Sequence, residues 1–379
     1  MGDAWISGKP VTLQAACAEA ARLLAASRFP LIAGLGTDMA GARAAIALAR
    51  RLGAAVDHMH SAAVLKDLEV MRDAGWMVTT PGEARLRADC LLLVGTGLTS
   101  AWLELPRRLL VPATAPAGME PGRRVVWLCP GPEVARSLAK DAHAHVEVIG
   151  GDEADLPIML AALRARVAGR PIGKTPVPQE AIDALAGNLQ AARFGVAVWS
   201  ASSGIDALAI EMLCGLIKDL NANTRFSGLP LPPGDNAAGV LEACGWTSGF
   251  PMRSSLRADA DAAGHDAVHD AVHDPWRFDA SRLVDGGEAD CVLWISAYRP
   301  AAPTWTRNVA TIALTAPDAR LRRPARVQIA VGRPGTDHDS IEHLAATGAL
   351  GTIVAAAPSA AISVARVIAD IAAALPAGV

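Results

Sequence analysis

The first strong pattern in the sequence is an apolar run, then an amphipathic helix, then a second apolar run. Residues 30–33 are apolar and predict a buried parallel strand that ends in the glycine turn 34–36. Small and apolar residues at helical spacing predict a helix from Met39 to Leu52, and Gly53 follows where a C-terminal glycine belongs. Residues 54–57 start the next strand. This stretch is therefore predicted to be a βαβ unit, which often holds a phosphate at its strand-to-helix turn.

Short apolar runs and helical periodicity continue to alternate along most of the chain. The pattern predicts further strands at 89–97, 124–129, 145–149, 194–202, 290–298, 308–316 and 326–332. It predicts helices at 11–28, 60–74, 152–167, 205–220 and 360–375. Residues 221–286 are rich in Gly, Pro and Asn, so we expect long ordered loops or short helices there, the usual place for a pocket wall. This alternation predicts an α/β architecture with parallel sheets in at least two lobes.

Composition and charge exclude several classes of protein. Hydrophobic residues make up 51% of the 379 residues and the mean hydropathy is +0.27, but small residues, chiefly Ala, carry that value. A membrane helix needs ~20 consecutive apolar residues, and every segment of about that length in this sequence is interrupted by a charged residue, Pro or Gly. The net charge of −3 is spread along the chain and gives no reason to expect nucleic acid. The N-terminal residues lack the features of a signal peptide, so we expect a cytoplasmic protein with no membrane association.

The cysteine pattern argues against a metal cluster. An iron–sulfur cluster or a structural zinc site usually needs thiolates that one loop presents together, and no Cys-x-x-Cys spacing occurs. We expect buried, reduced thiols that act as small apolar side chains. The six cysteines are Cys17, Cys90, Cys129, Cys214, Cys244 and Cys291.

The glycine turn Gly34-x-Gly36-x4-Gly41 is close to two phosphate-binding motifs and matches neither. A dinucleotide fingerprint needs its third glycine nearer, although Asp57 could serve as the acid that follows the second strand. A P-loop needs a lysine after the last glycine, and Ala42 stands there. The sequence favours a turn that packs a helix against a strand over a nucleotide site.

Histidines give two candidate metal sites. His58 and His60 follow a predicted strand and would face the same way, as in metal-dependent amidohydrolases, but no further ligand follows at the usual spacings. If the repeat at 265–274 is helical, His265, His269 and His273 form one stripe that can bind a transition metal. The alternative for the repeat is a duplication in a solvated loop. The sequence favours the interpretation without metal at both places.

The loop-rich region carries further candidates. Asp235 and Asn236 are plausible ligand contacts, but Asp and Asn also suit turns, so both interpretations stay open. Trp246 and Trp276, with Arg277 beside the latter, are aromatic side chains of the kind that closes a cleft or an interface. No Gly-x-Ser-x-Gly elbow occurs, and no Cys–His arrangement indicates a nucleophile. The residues alone therefore indicate an α/β protein without a recognisable catalytic set.

Six stretches follow one another in an order that is informative as a set: DAW (3–5), 29–57, 75–97, PPGDNAAGVLEACGWTSGFP (232–251), DPWRF (274–278) and VGRPGTDH (331–338). In this order they resemble the B subunit of the formylmethanofuran dehydrogenases. That protein belongs to the molybdopterin or tungstopterin oxidoreductases of the formate dehydrogenase type. The resemblance spans nearly the whole chain, and several long stretches in order are more specific than a single motif.

The resemblance implies a fold and a set of boundaries. The fold would be α/β, with two Rossmann-like lobes that have parallel sheets and are discontinuous in sequence, of the molybdopterin oxidoreductase type. Residues 1–28 would form an N-terminal helical segment. Residues 29–60 and 194–285 would form the first lobe, and 61–193 the second. Residues 286–379 would form a C-terminal α/β segment that packs on the first lobe.

Two departures from that family decide the expected chemistry. The family carries an N-terminal cysteine cluster for a 4Fe–4S centre, and residues 1–16 contain no cysteine. It also places a metal-ligating cysteine or selenocysteine just beyond the second strand, and the resemblance puts Ala63 at that position. A methyl group cannot ligate a metal, so we expect no tungsten or molybdenum pterin, no iron–sulfur cluster and no catalytic residue in this chain.

A homologue with both losses is the B subunit of the formyltransferase/hydrolase complex of methylotrophic bacteria. The resemblance implies a complex that moves a formyl group from formyltetrahydromethanopterin to a methylofuran carrier and hydrolyses it to formate. The implied partners are the amidohydrolase-like A subunit with a metal centre, the C subunit, the formyltransferase subunit of the same complex, and a carrier that binds elsewhere in it. This chain would be a non-redox structural subunit in one-carbon metabolism.

Two alternatives stay open. In the first, the chain is a formylmethanofuran dehydrogenase subunit that retains a pterin guanine dinucleotide in the ancestral cleft, where Gly36, Asp235 and Asn236 are candidate contacts. In the second, the chain is an independent hydrolase that uses His58 and His60. If the leading interpretation holds, Gly36, Asp235 and Asn236 only line a vestigial cleft that binds no cofactor.

Overall fold

Strands and helices alternate along the chain in nearly the order that the sequence pattern predicts. The computed structural model describes residues 3–110, 123–131, 146–256, 271–319, 321 and 323–377. The chain divides into two α/β units. The first comprises Met1–Ala62, Gly234–His343 and Leu350–Val379, and the second comprises Ala63–Pro233 and Leu344–Ala349.

The regular elements, in chain order, have the following bounds. The N-terminal part contains β1 (Ala4–Ile6), β2 (Lys9–Pro10), α1 (Leu13–Ala25), β3 (Pro30–Gly36), α2 (Met39–Leu52) and β4 (Ala55–Val56). The middle part contains α3 (Ser61–Ala74), α4 (Pro81–Arg87), β5 (Cys90–Val94), α5 (Leu98–Ala101), a π-helical turn (Pro106–Leu110), β6 (Arg124–Leu128), β7 (Val146–Ile149), a 3-10 turn (Glu153–Asp155), α6 (Leu156–Val167), α7 (Gln179–Gln190), β8 (Gly195–Trp199), α8 (Ala207–Leu220) and β9 (Phe226–Pro230). The last part contains α9 (Ala237–Ser248), β10 (Ser254–Ser255), β11 (Val272–His273), α10 (Ala280–Asp285), β12 (Cys291–Ser296), β13 (Ala310–Thr315), β14 (Val327–Ala330), β15 (Ser340–Leu344), β16 (Ala349–Ile353) and α11 (Val364–Ala373). Within the described part of the chain, no helix is both long and apolar enough to cross a lipid bilayer.

The first unit is built on a nine-stranded sheet in the order β11-β10-β4-β3-β12-β13-β14-β1-β2. Its five central strands are parallel, and the runs that form β3 and β12 are buried along their whole length, as central parallel strands are. Numbered along the chain, the central strands have the order 2-1-3-4-5, so the direction of sheet growth changes between β3 and β12. In open α/β sheets, ligands bind beyond the carboxyl ends of the strands at such a switch point.

The second unit contains a five-stranded parallel sheet in the order β7-β6-β5-β8-β9. Numbered along the chain this order is 3-2-1-4-5, so its switch point lies between β5 and β8. Side chains of β5 alternate between two apolar cores, with Leu91 and Leu93 in one and Leu92 and Val94 in the other. Residues of α6, α7 and α8 complete the second of these cores.

The βαβ unit predicted near the N-terminus is confirmed as β3, α2 and β4, with β3 and β4 parallel. The side chain of Asp38 accepts a hydrogen bond from the Gly41 N–H and caps the start of α2. Gly53 ends the helix with φ +61°, a left-handed conformation that glycine adopts without a Cβ clash. The helix has the bounds that the periodicity predicts.

The boundaries of the two units differ from those that the resemblance implies. Residues 194–233 carry β8 and β9, which extend the sheet of the second unit rather than the first lobe. Residues 286–379 supply β12, β13 and β14 to the first sheet, so this segment, apart from Leu344–Ala349, is part of the first unit and does not pack on a finished lobe. Residues 1–28 are not only helical, because Ala4–Ile6 pairs antiparallel with β14. The resemblance gives the order of segments along the chain but not which strands are neighbours, which explains these differences.

Residues 221–286 contain more regular structure than the sequence predicts. They include β9 and the twelve-residue helix α9. Most residues of α9 itself are small or apolar, and they lie on all sides of the helix. The helix therefore lacks the separate polar and apolar faces by which a helix is recognised in a sequence. The sequence also missed the β15–β16 hairpin.

The histidine repeat lies mostly outside the described residues, which omit His265 and His269. His273 lies in β11, where it pairs with Ser254. Its Nδ1 is 3.0 Å from the carbonyl oxygen of Arg253. The helical alternative for the repeat therefore does not hold at His273, and one ring nitrogen of that side chain already lies within hydrogen-bond distance of the backbone.

Candidate functional site

The position beyond the carboxyl ends of β3 and β12 is the candidate functional site. The two strands are parallel and pair Gly36 with Ser296, so the turns that follow them leave the sheet side by side. β4 lies on the other side of β3 and delivers the segment that contains His58 and His60. We refer to residues 34–38, 58–60, 235–236 and 296–299 together as the first switch point.

Two glycines of the turn are required by close packing. Gly34 has φ +81°, and a Cβ there would lie 2.5 Å from a backbone oxygen of β12. A Cβ at Gly41 would lie 2.1 Å from Oγ1 of Thr37. At Gly36 the nearest atom to a Cβ, at 2.9 Å, is Cε of Met59, the end of a flexible side chain. Packing of the turn against neighbouring segments, the interpretation that the sequence favours, therefore accounts for Gly34 and Gly41.

A carboxylate already stands at the N-terminus of α2, the place where such a unit would bind a phosphate. Asp38 is buried, and its Oδ1 is 2.9 Å from the Gly41 N and 3.3 Å from the Thr37 Oγ1. Helix N-termini favour negative charge, and here the chain supplies that charge itself. An anionic ligand would meet electrostatic repulsion from Asp38.

The three predicted cleft residues, Gly36, Asp235 and Asn236, meet in space. A Cβ at Gly36 would lie 3.6 Å from Cβ of Asp235. Asp235 and Asn236 both have left-handed backbone conformations, with φ +55° and +57°. The Asn236 Nδ2 donates to the Thr37 carbonyl at 2.9 Å, and its Oδ1 accepts from the His343 N–H at 2.9 Å. Asn236 thus fastens its loop to the glycine turn and to β15.

The Asp235 carboxylate is the centre of an ionic network. Its side chain is only 4% exposed, and its oxygens accept from the Arg299 Nε at 2.7 and 3.0 Å. The His60 Nε2 lies 2.8 Å from Oδ2 of Asp235 and 3.0 Å from Nη2 of Arg299, so its proton decides which of the two it bonds. Burial opposes ionisation of Asp235, but the hydrogen bonds from His60 and Arg299 outweigh it and lower the pKa to about 2. The group is a carboxylate at neutral pH.

His58 is held as a neutral imidazole. Its Nδ1 accepts from the His60 N–H at 3.0 Å, so the proton is on Nε2, which donates to the Asp235 carbonyl at 3.1 Å. Burial, helped by His60, lowers the pKa of His58 to about 4. Both nitrogens are therefore committed to the backbone. Among the described residues, no group of three or more His, Cys, Asp or Glu side chains is arranged to hold a metal ion.

Asp57, the possible ribose ligand of the sequence motif, faces the chain itself. Its Oδ2 accepts from the Ala280 N–H at 2.8 Å at the start of α10, and Oδ1 lies 3.6 Å from the Arg253 Nε. Arg253 also pairs with Asp279 at 2.6 Å. Burial raises the pKa of Asp57 to about 6 despite the nearby guanidinium. Asp57 anchors α10 and is not directed at a ligand position.

Sequence reasoning missed three members of the site: Tyr298, Arg299 and Glu342. Burial raises the pKa of Tyr298 well above its ordinary value, and the nearby carboxyl groups of Glu342 and Asp38 act in the same direction. Burial also raises the pKa of Glu342. Tyr298 is the last residue of the strongly apolar predicted strand 290–298, and Arg299 directly follows it. The carboxyl end of a predicted parallel strand was therefore a usable signal. Glu342 comes from a hairpin that no pattern indicates.

Ala63 and the two predicted aromatic contacts lie elsewhere. Ala63 is in the first turn of α3 and packs its methyl group against the apolar core of the second unit. Trp246 and Trp276 are 69% and 72% exposed, so neither is buried within this chain. The guanidinium of Arg282 lies over the Trp276 ring, 4.7 Å from its centroid.

Fold and site define a class: a parallel α/β protein of two units in which side chains of the chain itself occupy the ligand position of the first sheet. The sequence is 34% identical over 334 residues to the B subunit of the formyltransferase/hydrolase complex Fhc of Methylorubrum extorquens, an alignment that covers 88% of this chain and 85% of that protein. The chain belongs to this family of B subunits, which confirms the resemblance seen in the sequence. No family model matches the sequence.

A solved structure is similar to the whole chain. It is a chain of the X-ray crystal structure of the formyltransferase/hydrolase complex FhcABCD from Methylorubrum extorquens in complex with methylofuran, with a TM-score of 0.82, 31% identity and 97% coverage of both chains. Two tungsten-containing formylmethanofuran dehydrogenase 2 B subunits are also similar. The one from Methanococcus maripaludis is 28% identical over 64% of this chain and 57% of its own length. The one from Methanocaldococcus jannaschii is 26% identical over 76% of this chain and 65% of its own length.

Proposed function

We propose that the chain is a non-redox, catalytically inactive structural subunit of a formyltransferase/hydrolase complex in one-carbon metabolism. The observation that carries this proposal is the network of Asp235 with Arg299 and His60 at the first switch point. A ligand in this position would have to separate a buried carboxylate from its partners. Such a ligand would leave the buried Asp235 carboxylate without its charged partners, which is unfavourable.

The charge around this network supports the same proposal. Asp38 adds a buried carboxyl group at the N-terminus of α2, and Glu342 lies close to it. The phosphates of a pterin dinucleotide would approach these acidic groups instead of the open helix N-terminus that such ligands use. The arrangement therefore argues against a retained dinucleotide in the first unit.

Similarity to the relatives supports the assembly part of the proposal. The relative from Methylorubrum extorquens is named as the B subunit of a complex, and the similar chain was solved within FhcABCD with methylofuran bound. On this basis, the partners we propose are the amidohydrolase-like A subunit, the C subunit, and the formyltransferase subunit of the same complex. A methylofuran-type carrier would bind elsewhere in the complex.

We also propose the molybdopterin oxidoreductase type of fold for the two units, since two relatives are B subunits of tungsten-containing enzymes. In that ancestry Ala63 stands in the place of the metal-ligating cysteine or selenocysteine. The chain would then hold no tungsten or molybdenum pterin and no iron–sulfur cluster.

Metal analysis and pterin release from the purified complex test this proposal. We expect tungsten and molybdenum far below one per chain and no pterin fluorescence after acid release. A tungsten-containing formylmethanofuran dehydrogenase, treated in the same way, is the positive control. Stoichiometric metal or pterin would overturn the proposal and leave the cofactor-binding alternative, with Gly36, Asp235 and Asn236 as the first residues to replace.

The hydrolase alternative has its own test. The isolated chain, free of the amidohydrolase-like partner, is incubated with formylmethylofuran with and without added zinc. We expect no metal-dependent hydrolysis, because both ring nitrogens of His58 already bond the backbone. Metal-dependent hydrolysis that disappears in His58→Asn would show that this chain is an enzyme.

A further inference from the structure

The second unit has a switch point of its own, between β5 and β8. The two strands are parallel neighbours, so the turns that follow them lie side by side at the carboxyl edge of the sheet. This is the ligand position of a doubly wound sheet. We refer to residues 95–97 and 200–204 together as the second switch point.

A carboxylate from another connection occupies this position. Oε1 of Glu153 accepts from the Thr96 N–H at 2.7 Å and from the Thr96 hydroxyl at 2.8 Å. A Cβ at Gly95 would lie 2.9 Å from Oε1, and a Cβ at Gly204 would lie 2.6 Å from Oε2. Both turns therefore lack a side chain at the point where the Glu153 carboxylate lies.

Glu153 reaches the second switch point from the 3-10 turn that precedes α6. The Asp155 side chain accepts from the Asp152 N–H at 3.3 Å and fixes this turn. Ser202 and Gly204 on the other side are exposed, so the position can be reached from solvent. A backbone N–H and a hydroxyl that converge where glycines leave room are the donors that bind carboxylate or phosphate oxygens in other proteins.

We infer that the second switch point is an anion-binding site whose ligand is the chain's own Glu153 carboxylate. A small oxyanion, such as acetate or inorganic phosphate, occupies the site only when that side chain is removed. The Glu153 carboxylate joins the β5 turn to the connection before α6 and keeps external anions out. This inference depends on the contacts of Glu153 with Thr96, Gly95 and Gly204, and it does not rest on the proposed function.

Thermal unfolding of the full chain tests the inference. Glu153→Ala removes the anion and leaves the Thr96 donors without it, so we expect its Tm to fall by about 2 to 6 °C. Sodium acetate should then raise the Tm of this variant along a saturable curve, relative to sodium chloride at equal ionic strength. Sodium phosphate is the second probe. The wild-type chain should show no saturable response to either anion, because Glu153 fills the site.

Two further variants serve as controls. Glu153→Gln keeps an acceptor oxygen for Thr96 and fills the same space, so its response to acetate should be small. Glu83→Ala removes another carboxylate that accepts from a threonine hydroxyl, Thr79 at 2.7 Å, away from the second switch point. Its Tm should not respond to acetate along a saturable curve.

The result that overturns the inference is an acetate response of Glu153→Ala no larger than that of the wild type or of Glu83→Ala. If Glu153→Ala does not fold in chloride, its refolding yield in acetate is compared with that in chloride. A higher yield in acetate supports an anion site, and equal yields contradict it. None of these results depends on tungsten, molybdenum or pterin content.

Discussion

Asp235 combines an unusual backbone with a buried charge. Left-handed backbone at Asp235 and Asn236 costs about 1 to 3 kcal/mol each, and their side-chain hydrogen bonds offset it. The sequence offered them either as turn residues or as site residues, and the structure has them as both. The sequence could not predict the ionic network of Asp235, because Arg299 and His60 lie 64 and 175 residues from Asp235 in the chain.

The first prediction concerns the pH dependence of stability through His58. The pKa of this group is about 4 in the folded chain, against an ordinary value of 6.5. A lowered pKa means that the folded state binds fewer protons, so the stabilisation is complete above pH 6.5 and is lost as the pH falls towards 4. This loss is worth about 3 kcal/mol in the free energy of unfolding. Denaturant unfolding of His58→Asn should show a loss smaller by about this amount over that range.

The comparison between variants isolates His58 from other buried groups. Burial raises the pKa of Asp57 and Asp67 to about 6, so their contribution to stability increases as the pH falls through this value. That contribution opposes the one from His58 and is common to wild type and variant. His273→Asn, which removes an imidazole outside the first switch point, is the control. Parallel pH profiles for wild type and His58→Asn would contradict the prediction.

At the scale of elements, the periodicity of the sequence located most strands and helices well. α2 has the predicted bounds because its apolar spacing, the Asp38 cap and Gly53 all act locally. α9 escaped because its signal is not amphipathic. Trp246 is exposed on α9, and Trp276 is exposed after β11. Tryptophan is enriched in interfaces between proteins relative to the rest of the surface.

The second prediction concerns assembly through these aromatic side chains. Trp246→Ala and Trp276→Ala should each weaken binding to the partner subunits by about tenfold or more, because exposed tryptophans are frequent anchors of interfaces. Gel filtration and mass photometry of the mixed subunits measure the assembled fraction. The rate per assembled complex should not change.

Trp246→Phe and Trp276→Phe are the matched controls. Phe keeps an aromatic face, including one for Arg282 to cover, and should retain most of the assembly. A fully assembled but slow alanine variant would contradict a role in assembly. Unchanged affinity of both alanine variants would contradict it as well.

At the scale of the whole molecule, strand pairing between distant segments determines which parts of the chain belong to each of the two units. β12 enters between β3 and β13, and β8 and β9 extend the sheet that β5 begins. The resemblance implied other boundaries because it orders segments along the chain without fixing which strands are neighbours. The division places a switch point in each unit, and in both an acidic side chain of the chain itself lies at the strand ends.

The third prediction concerns the cysteines, which lie in both units. All six are buried free thiols, as predicted from their apolar surroundings. Burial raises the pKa of Cys17 and Cys129 to about 11 and that of the others to about 12. A thiol reagent should therefore react very slowly with the folded chain. In guanidinium chloride, which unfolds the chain, the same reagent should react with all six thiols. Rapid reaction of any thiol in the folded chain would contradict this burial.

The sequence by itself determined the α/β class, the βαβ unit, the small apolar role of the cysteines and the family. Each of these depends on local spacing or on the order of long stretches, which a linear chain records directly. Only the tertiary structure decided that Asp235 pairs with Arg299 and His60, and that Glu153 bonds Thr96. These contacts join residues far apart in sequence, and burial then sets the pKa values of Asp235 and His58. The spacing of residues along the chain specifies neither these pairs nor the burial of the polar side chains of Asp235 and His58.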